Sequence, residues 1–149
     1  MRIGAAYFDN TVYQSKAIMY TFKKEERLCN KKLIDGLFRS GSSFLCYPYR
    51  ISWMEVSTPQ STPVQVLLAV AKKRYKRAVD RNLVKRRMRE AYRVHKQELL
   101  YQHLQQKHII LSISYIGNEI TDYSFMEKKM QKMLHQLNEL VNAKVTAAV

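Results

Sequence analysis

Cysteine is scarce: Cys29 and Cys46 are the only two in 149 residues. Two thiols at that spacing form neither a metal-ligand set nor a dense disulfide framework, so both read as buried or idle thiols. Long apolar runs are missing as well. No segment reaches the length of a membrane span, and the opening MRIGAAYFDN lacks the continuous apolar core of a secretory signal. The expectation is a cytoplasmic protein with no membrane partner. Acid is in short supply, with 12 Asp and Glu against 26 Lys and Arg and a formal net charge of +14. The few carboxylates are scattered, so none of the converging acids that a two-metal hydrolase needs is in view. His95, His103, His108 and His135 show neither zinc-ligand spacing nor an evident partner, and each reads as an ordinary surface or core histidine. There is no internal repeat and no low-complexity tract.

What remains is a chain that is 46% hydrophobic with several aliphatic runs, which implies one folded domain with a real core. Residues 1–20 carry no persistent pattern and read as a disordered extension, with Met19 an alternative start. The domain is expected over 21–142, followed by a frayed tail over 143–149.

From Asn30 the pattern becomes helical. Asn30 suits an N-cap, Leu33, Ile34, Leu37 and Phe38 recur on one face, and Gly41 supplies a stop. Phe44 to Val56 then reads as one long strand with Leu45, Tyr47, Tyr49, Ile51 and Trp53 on a common face, and Pro48 puts part of it near an edge. After a Ser/Thr/Pro loop over Ser57–Pro63, the apolar run Val64–Ala71 is expected to pair back on that strand as a hairpin. His108–Tyr115 (HIILSISY) is dense enough in apolar residues to sit centrally in a sheet. A last helix is expected over Asp122–Asn142, with Met126, Met130, Met133, Leu137 and Leu140 as its apolar stripe.

Between the second and third strands lies the densest positive charge in the chain. Lys72–Arg77 reads as a loop, and a helix begins near Val79 or Asp80, the acid favourable at its positive N-terminal end. Val84, Met88, Ala91 and His95 fall on one side, flanked by Tyr92 and Leu99. Asn82, Arg86, Arg89 and Arg93 fall on the other, with Lys85 and Lys96 on the shoulder. A solvated helix face ordinarily mixes Glu with Lys; this one has almost no acid. Such a rank of cations suits a polyanion, because each phosphate neutralised releases condensed counterions and Arg can fork onto phosphate oxygens. Docking on an anionic membrane is the competing reading, disfavoured because the helix's apolar side is modest and is needed to cover the sheet.

The run Ala69-Val70-Ala71-Lys72-Lys73, followed by Ala78-Val79-Asp80-Arg81-Asn82-Leu83-Val84-Lys85-Arg86-Arg87-Met88-Arg89-Glu90-Ala91-Tyr92-Arg93, resembles the signature of the bacterial ribonuclease P protein component. Upstream, Phe22-Lys23-Lys24-Glu25-Glu26-Arg27-Leu28 with Phe38 and Gly41 resembles that family's amino-terminal pattern, and the likeness covers roughly Thr21 to Asn142. The resemblance implies an α+β fold: a compact α-β-β-α-β-α sandwich, ribosomal-protein-like, with a left-handed βαβ crossover around the basic helix, where general topology rules favour the right-handed one. It implies a protein subunit that assists an RNA enzyme in removing the 5′ leader of precursor tRNA. No catalytic residue is then expected in the protein, and Mg2+ is held mainly by the RNA, with no organic cofactor.

The implied partners are the ribonuclease P RNA, one protein per RNA, and precursor tRNA. By the same resemblance Lys72, Lys73, Arg81, Asn82, Lys85, Arg86, Arg89 and Arg93 face the RNA subunit. The family's third basic residue after Arg-Asn is replaced here by Leu83. A cleft between the first helix and the sheet is implied for the single-stranded leader, with Phe38, Tyr47, Tyr49 and Trp53 as stacking candidates and Arg50 as a cation. Residues such as Phe38 and Trp53 more often fill cores, and Ile34 stands where the family often has an aromatic. A ribosome-associated RNA-binding protein without a role in cleavage is the alternative.

Overall fold

Asn30 starts the first helix as its residue type predicts: its side chain accepts from the backbone N–H of Lys32 at 3.0 Å and of Leu33 at 3.4 Å. The helix, α1, runs Lys31–Ser40 and stops at Gly41, where any side chain would collide with the Leu37 carbonyl. The computed structural model describes residues 21–57, 60–104 and 107–147; the extension expected over residues 1–20 lies outside them. After α1 come β1 (Ser42–Cys46), β2 (Tyr49–Val56), β3 (Val64–Val70), α2 (Ala78–Leu99), β4 (His108–Tyr115) and α3 (Tyr123–Ala147). The expected α+β order is present with one strand more, and α3 continues past the expected end at Asn142.

Two strand expectations are corrected. Phe44–Val56 is not one strand, because a turn at Tyr47–Pro48 folds it into the antiparallel hairpin β1–β2, with Cys46 opposite Tyr49 and Phe44 opposite Ile51. The turn reverses the face parity, so Tyr49, Ile51 and Trp53 point into the core while Leu45 and Tyr47 are exposed. Nor does β3 pair back on β2. The sheet order is β1-β2-β4-β3, with β4 antiparallel to β2 and parallel to β3. Centrality of β4 and a β2–β3 hairpin compete for the same ladder, and burial decides: β4 has apolar residues for both faces, with Ile109, Ile110, Leu111 and Ile113 fully buried. Its parallel partner β3 is reached by a crossover through α2, the connection that parallel neighbours require.

The sheet buries unequal faces. Tyr49, Ile51, Trp53, Val66, Ile109, Leu111, Ile113 and Tyr115 meet Val84, Met88, Ala91 and Tyr92 of α2 and Met126, Met130, Met133 and Leu137 of α3 in the main core. The Tyr49 hydroxyl donates to the Met126 carbonyl at 2.9 Å, tying α3 to the sheet. Leu140, expected in the α3 stripe, is 39% exposed. On the opposite face Leu28 and Leu37 pack on Ile110 with Leu33, Ile34, Met54, Val56 and Leu67 around them. Ten residues of helix span only ~15 Å, against ~25 Å for an eight-residue strand. One end of this second face is therefore left uncovered.

Lys96 is also corrected. It is not a cation on the shoulder of α2 but 2% exposed, bonded to the equally buried Glu26 and to the Thr21 carbonyl. Glu26 further accepts from the Tyr101 hydroxyl at 2.7 Å and from the Lys23 backbone N–H at 2.6 Å. The segment Thr21–Leu28 is thereby fastened across the outer edge of β3, where the Leu28 N–H donates to the Val66 carbonyl at 2.9 Å.

Candidate nucleic-acid interface

The face of α2 turned from the core carries Asn82, Arg86 and Arg89 exposed, with Arg81, Lys85 and Arg93 partly covered. In the preceding loop Lys72 and Lys73 are exposed. The expected RNA-facing set thus lies on one helix face and the loop that leads into it. Its members differ in how free they are. Arg81 donates from one guanidinium nitrogen to the Tyr75 and Lys76 carbonyls at 2.8 and 2.7 Å, bracing the loop as well as adding charge. Arg93 donates to Glu90 at 3.1 Å. That bond holds the Glu90 carboxyl below its ordinary value and the Arg93 guanidinium above its own. Arg87 turns aside to the Thr121 carbonyl and fastens α2 to the segment before α3. Leu83 is half-buried.

The uncovered end of the sheet forms a groove of about 810 Å³. Phe38 at the end of α1 and Leu45 on β1, 60% and 59% exposed, form its apolar walls. Ser52 of β2, Ser114 of β4 and Ala69 of β3 make a floor of small side chains, and Arg50 and Arg74 supply positive charge. Arg74 belongs to the loop that carries Lys72 and Lys73 and leads into α2, and it donates to the Asn118 side chain at 3.1 Å. An exposed aromatic, small polar floor residues and two guanidiniums can hold an extended anionic chain whose bases stack and whose phosphates pair with Arg.

Of the residues expected in this cleft, Phe38 and Arg50 line it. Tyr47 is exposed in the β1–β2 turn but is not part of the lining. Tyr49 and Trp53 are not in the cleft at all: they are 0% and 3% exposed and face α2 and α3 through the other side of the sheet. Sequence reasoning missed Leu45, Ser52, Ser114 and Arg74. The alternation Arg50, Ser52, Met54 was available as the signal, since it marks the face opposite Tyr49, Ile51 and Trp53, but only once the turn at Pro48 resets the parity. Among the described residues no group of three His, Cys, Asp or Glu is placed to hold a metal ion. None of their helices is long and apolar enough to cross a membrane.

A cationic helix beside an Arg-containing groove on an α+β sheet defines a class, the small basic protein shaped to hold a polyanion. Within that class, this chain belongs to the ribonuclease P protein family, whose description, Ribonuclease P, matches over residues 22–138. The ribonuclease P protein component of Porphyromonas gingivalis is 38% identical over 117 residues, covering 77% of this chain and 85% of the relative. That of Chlorobium phaeobacteroides is 34% identical over 129 residues, 78% of this chain and 88% of the relative. Two solved structures share the fold: the RNase P protein of Thermotoga maritima, with TM-score 0.59 and 19% identity over 74% of this chain and 96% of its own, and that of Staphylococcus aureus, with TM-score 0.58 and 21% identity over 74% and 94%.

Proposed function

We propose that this chain is the protein subunit of ribonuclease P in tRNA 5′-end maturation, binding the catalytic RNA and the 5′ leader of precursor tRNA. The observation that carries the reading is the cationic face of α2, continuous through the Lys72–Arg74 loop with the groove at Phe38 and Arg50. Lys72, Lys73, Arg81, Asn82, Lys85, Arg86, Arg89 and Arg93 contact the RNA subunit, one protein per RNA, in the cytoplasm. Phe38 stacks on an unpaired leader base, and Arg50 and Arg74 meet its phosphates. The RNA performs the hydrolysis with Mg2+; the described residues offer no cluster to hold that ion, and the protein's part is to offset phosphate repulsion so that less of it is needed. Family membership weighs against the ribosome-associated alternative.

Single-turnover cleavage of a precursor tRNA by its matching ribonuclease P RNA at low magnesium tests this, with protein added, omitted, or alone. Stimulation only when RNA and protein are both present is the expected result. Tight RNA binding without stimulation would restore the alternative, and cleavage by protein alone would move the chemistry into this chain.

A further inference from the structure

A second, smaller recess lies away from the groove, at the outer edge of β3. It has a volume of about 180 Å³ and takes its lining from two separate elements: Phe22, Arg27, Leu28 and Cys29 from the fastened N-terminal segment, and Arg89 from the cationic face of α2, over a floor of Val66 to Leu68. The Arg27 guanidinium sits 5.7 Å from the centre of the Phe22 ring. Neither Arg27 nor Arg89 has an ion pair or side-chain hydrogen bond among the described residues. The backbone beneath them is fixed. Arg27 bridges Val66 on β3, and its neighbour Glu26 is buried in contact with Lys96 and Tyr101.

We infer that this recess is a binding site for one unpaired nucleotide of RNA, with Arg27 and Arg89 converging on its phosphate and its base lying on the apolar floor. The inference rests on the RNA-binding reading above. The size admits one base rather than a stack. Two guanidiniums that line one recess from different elements, with no ion pair or side-chain hydrogen bond among the described residues, keep their forked N–H groups for the oxygens of a phosphodiester. The nucleotide can come from the ribonuclease P RNA or from the precursor tRNA; the chemistry is the same.

Cys29 reports on the site directly, because it lines the recess and is exposed whereas Cys46 is buried. The full-length protein is treated with N-ethylmaleimide when free, when saturated with ribonuclease P RNA, and when that complex is further saturated with precursor tRNA, with assembly followed by gel mobility. Alkylation of Cys29 is expected to slow tenfold or more at the first addition if the RNA subunit supplies the nucleotide, and only at the second if the precursor does. In the assembled complex of R27A/R89A at saturating RNA the protection should be lost. Free alkylation of Cys29 in both wild-type complexes overturns the inference while leaving the subunit assignment standing. Protection that persists in the double variant also overturns it, since the shielding then comes from elsewhere. A protein that binds neither RNA removes the functional reading, and this inference with it.

Discussion

Holding a lysine and a glutamate together almost out of water is a costly way to fasten an N-terminal segment, and the cost predicts how the protein fails. Burial works to raise the Glu26 carboxyl, yet hydrogen bonds from Lys96, the Lys23 N–H and Tyr101 outweigh it and hold the group below its ordinary value. Burial pulls the Lys96 ammonium down, with Glu26 opposing. Three donors on one carboxylate keep Glu26 ionised. Removing one partner strands the other, so Lys96→Ala is expected to cost about 3–5 kcal/mol in urea unfolding. The pH dependence follows from the Glu26 direction. Its folded value lies below its unfolded one, so the stabilisation is complete above the unfolded value and is lost as pH falls through the folded one. Urea midpoints measured from pH 6 down to pH 3 should fall for the native chain and fall less for Glu26→Gln. A second residue-scale contrast separates surface from core aromatics. Phe38→Ala should leave stability within about 0.5 kcal/mol while weakening binding of precursor tRNA by the ~1–3 kcal/mol of one stacked base. Trp53→Ala should instead cost about 3–5 kcal/mol of stability through the cavity it leaves. Unfolding and binding measured on the same two variants check both halves, and an unfolded Phe38→Ala protein would show that the side chain is structural.

At the scale of elements, α2 carries two jobs on opposite faces, and substitutions should sort by face. Arg86 is exposed with no side-chain bond among the described residues, so Arg86→Ala is expected to reduce the slope of log affinity for the RNA subunit against log salt by roughly 0.7–0.9, the yield of one phosphate contact. Arg81→Ala removes charge and also frees the Tyr75 and Lys76 carbonyls, so it should add raised hydrogen exchange in the Lys72–Arg77 loop, which Arg86→Ala should not. An unchanged salt slope for Arg86→Ala would place the RNA elsewhere. The helices were legible in the sequence because their signals are local: the Asn30 cap, the apolar spacing through Val84, Met88 and Ala91, and the acid at the start of α2. The strands were legible as strands but not as partners, since an apolar run states that it will be buried and not beside what. Pro48 reads as an edge marker in the sequence and makes a turn in the structure, and that turn leaves Tyr49 and Trp53, which the family resemblance suggests for the cleft, on the core face. Lys96 was misplaced because its partner lies 70 residues upstream, beyond the reach of any helical spacing rule.

For the molecule as a whole, the arrangement places two surfaces at the ends of one loop. Lys72 and Lys73 lead into the cationic face of α2, while Arg74, the next residue, lines the groove. A protein that only needed affinity for RNA would be served by charge alone, and its variants would all weaken every RNA complex together. Two surfaces of different chemistry predict separable losses. Replacing Arg86 and Lys85 on α2 with Ala should weaken assembly with the RNA subunit and steepen the magnesium requirement for cleavage whatever the leader. Replacing Phe38 and Arg50 should leave assembly unchanged and weaken precursor binding only when the tRNA carries a leader long enough to enter the groove. Affinities of the assembled complex for precursors with leaders trimmed stepwise to none, measured for both pairs at one salt concentration, would distinguish these outcomes. If the groove pair loses affinity equally for leaderless tRNA, the groove holds some other part of the RNA, and the charge on α2 and the groove at Phe38 act as one continuous surface rather than two.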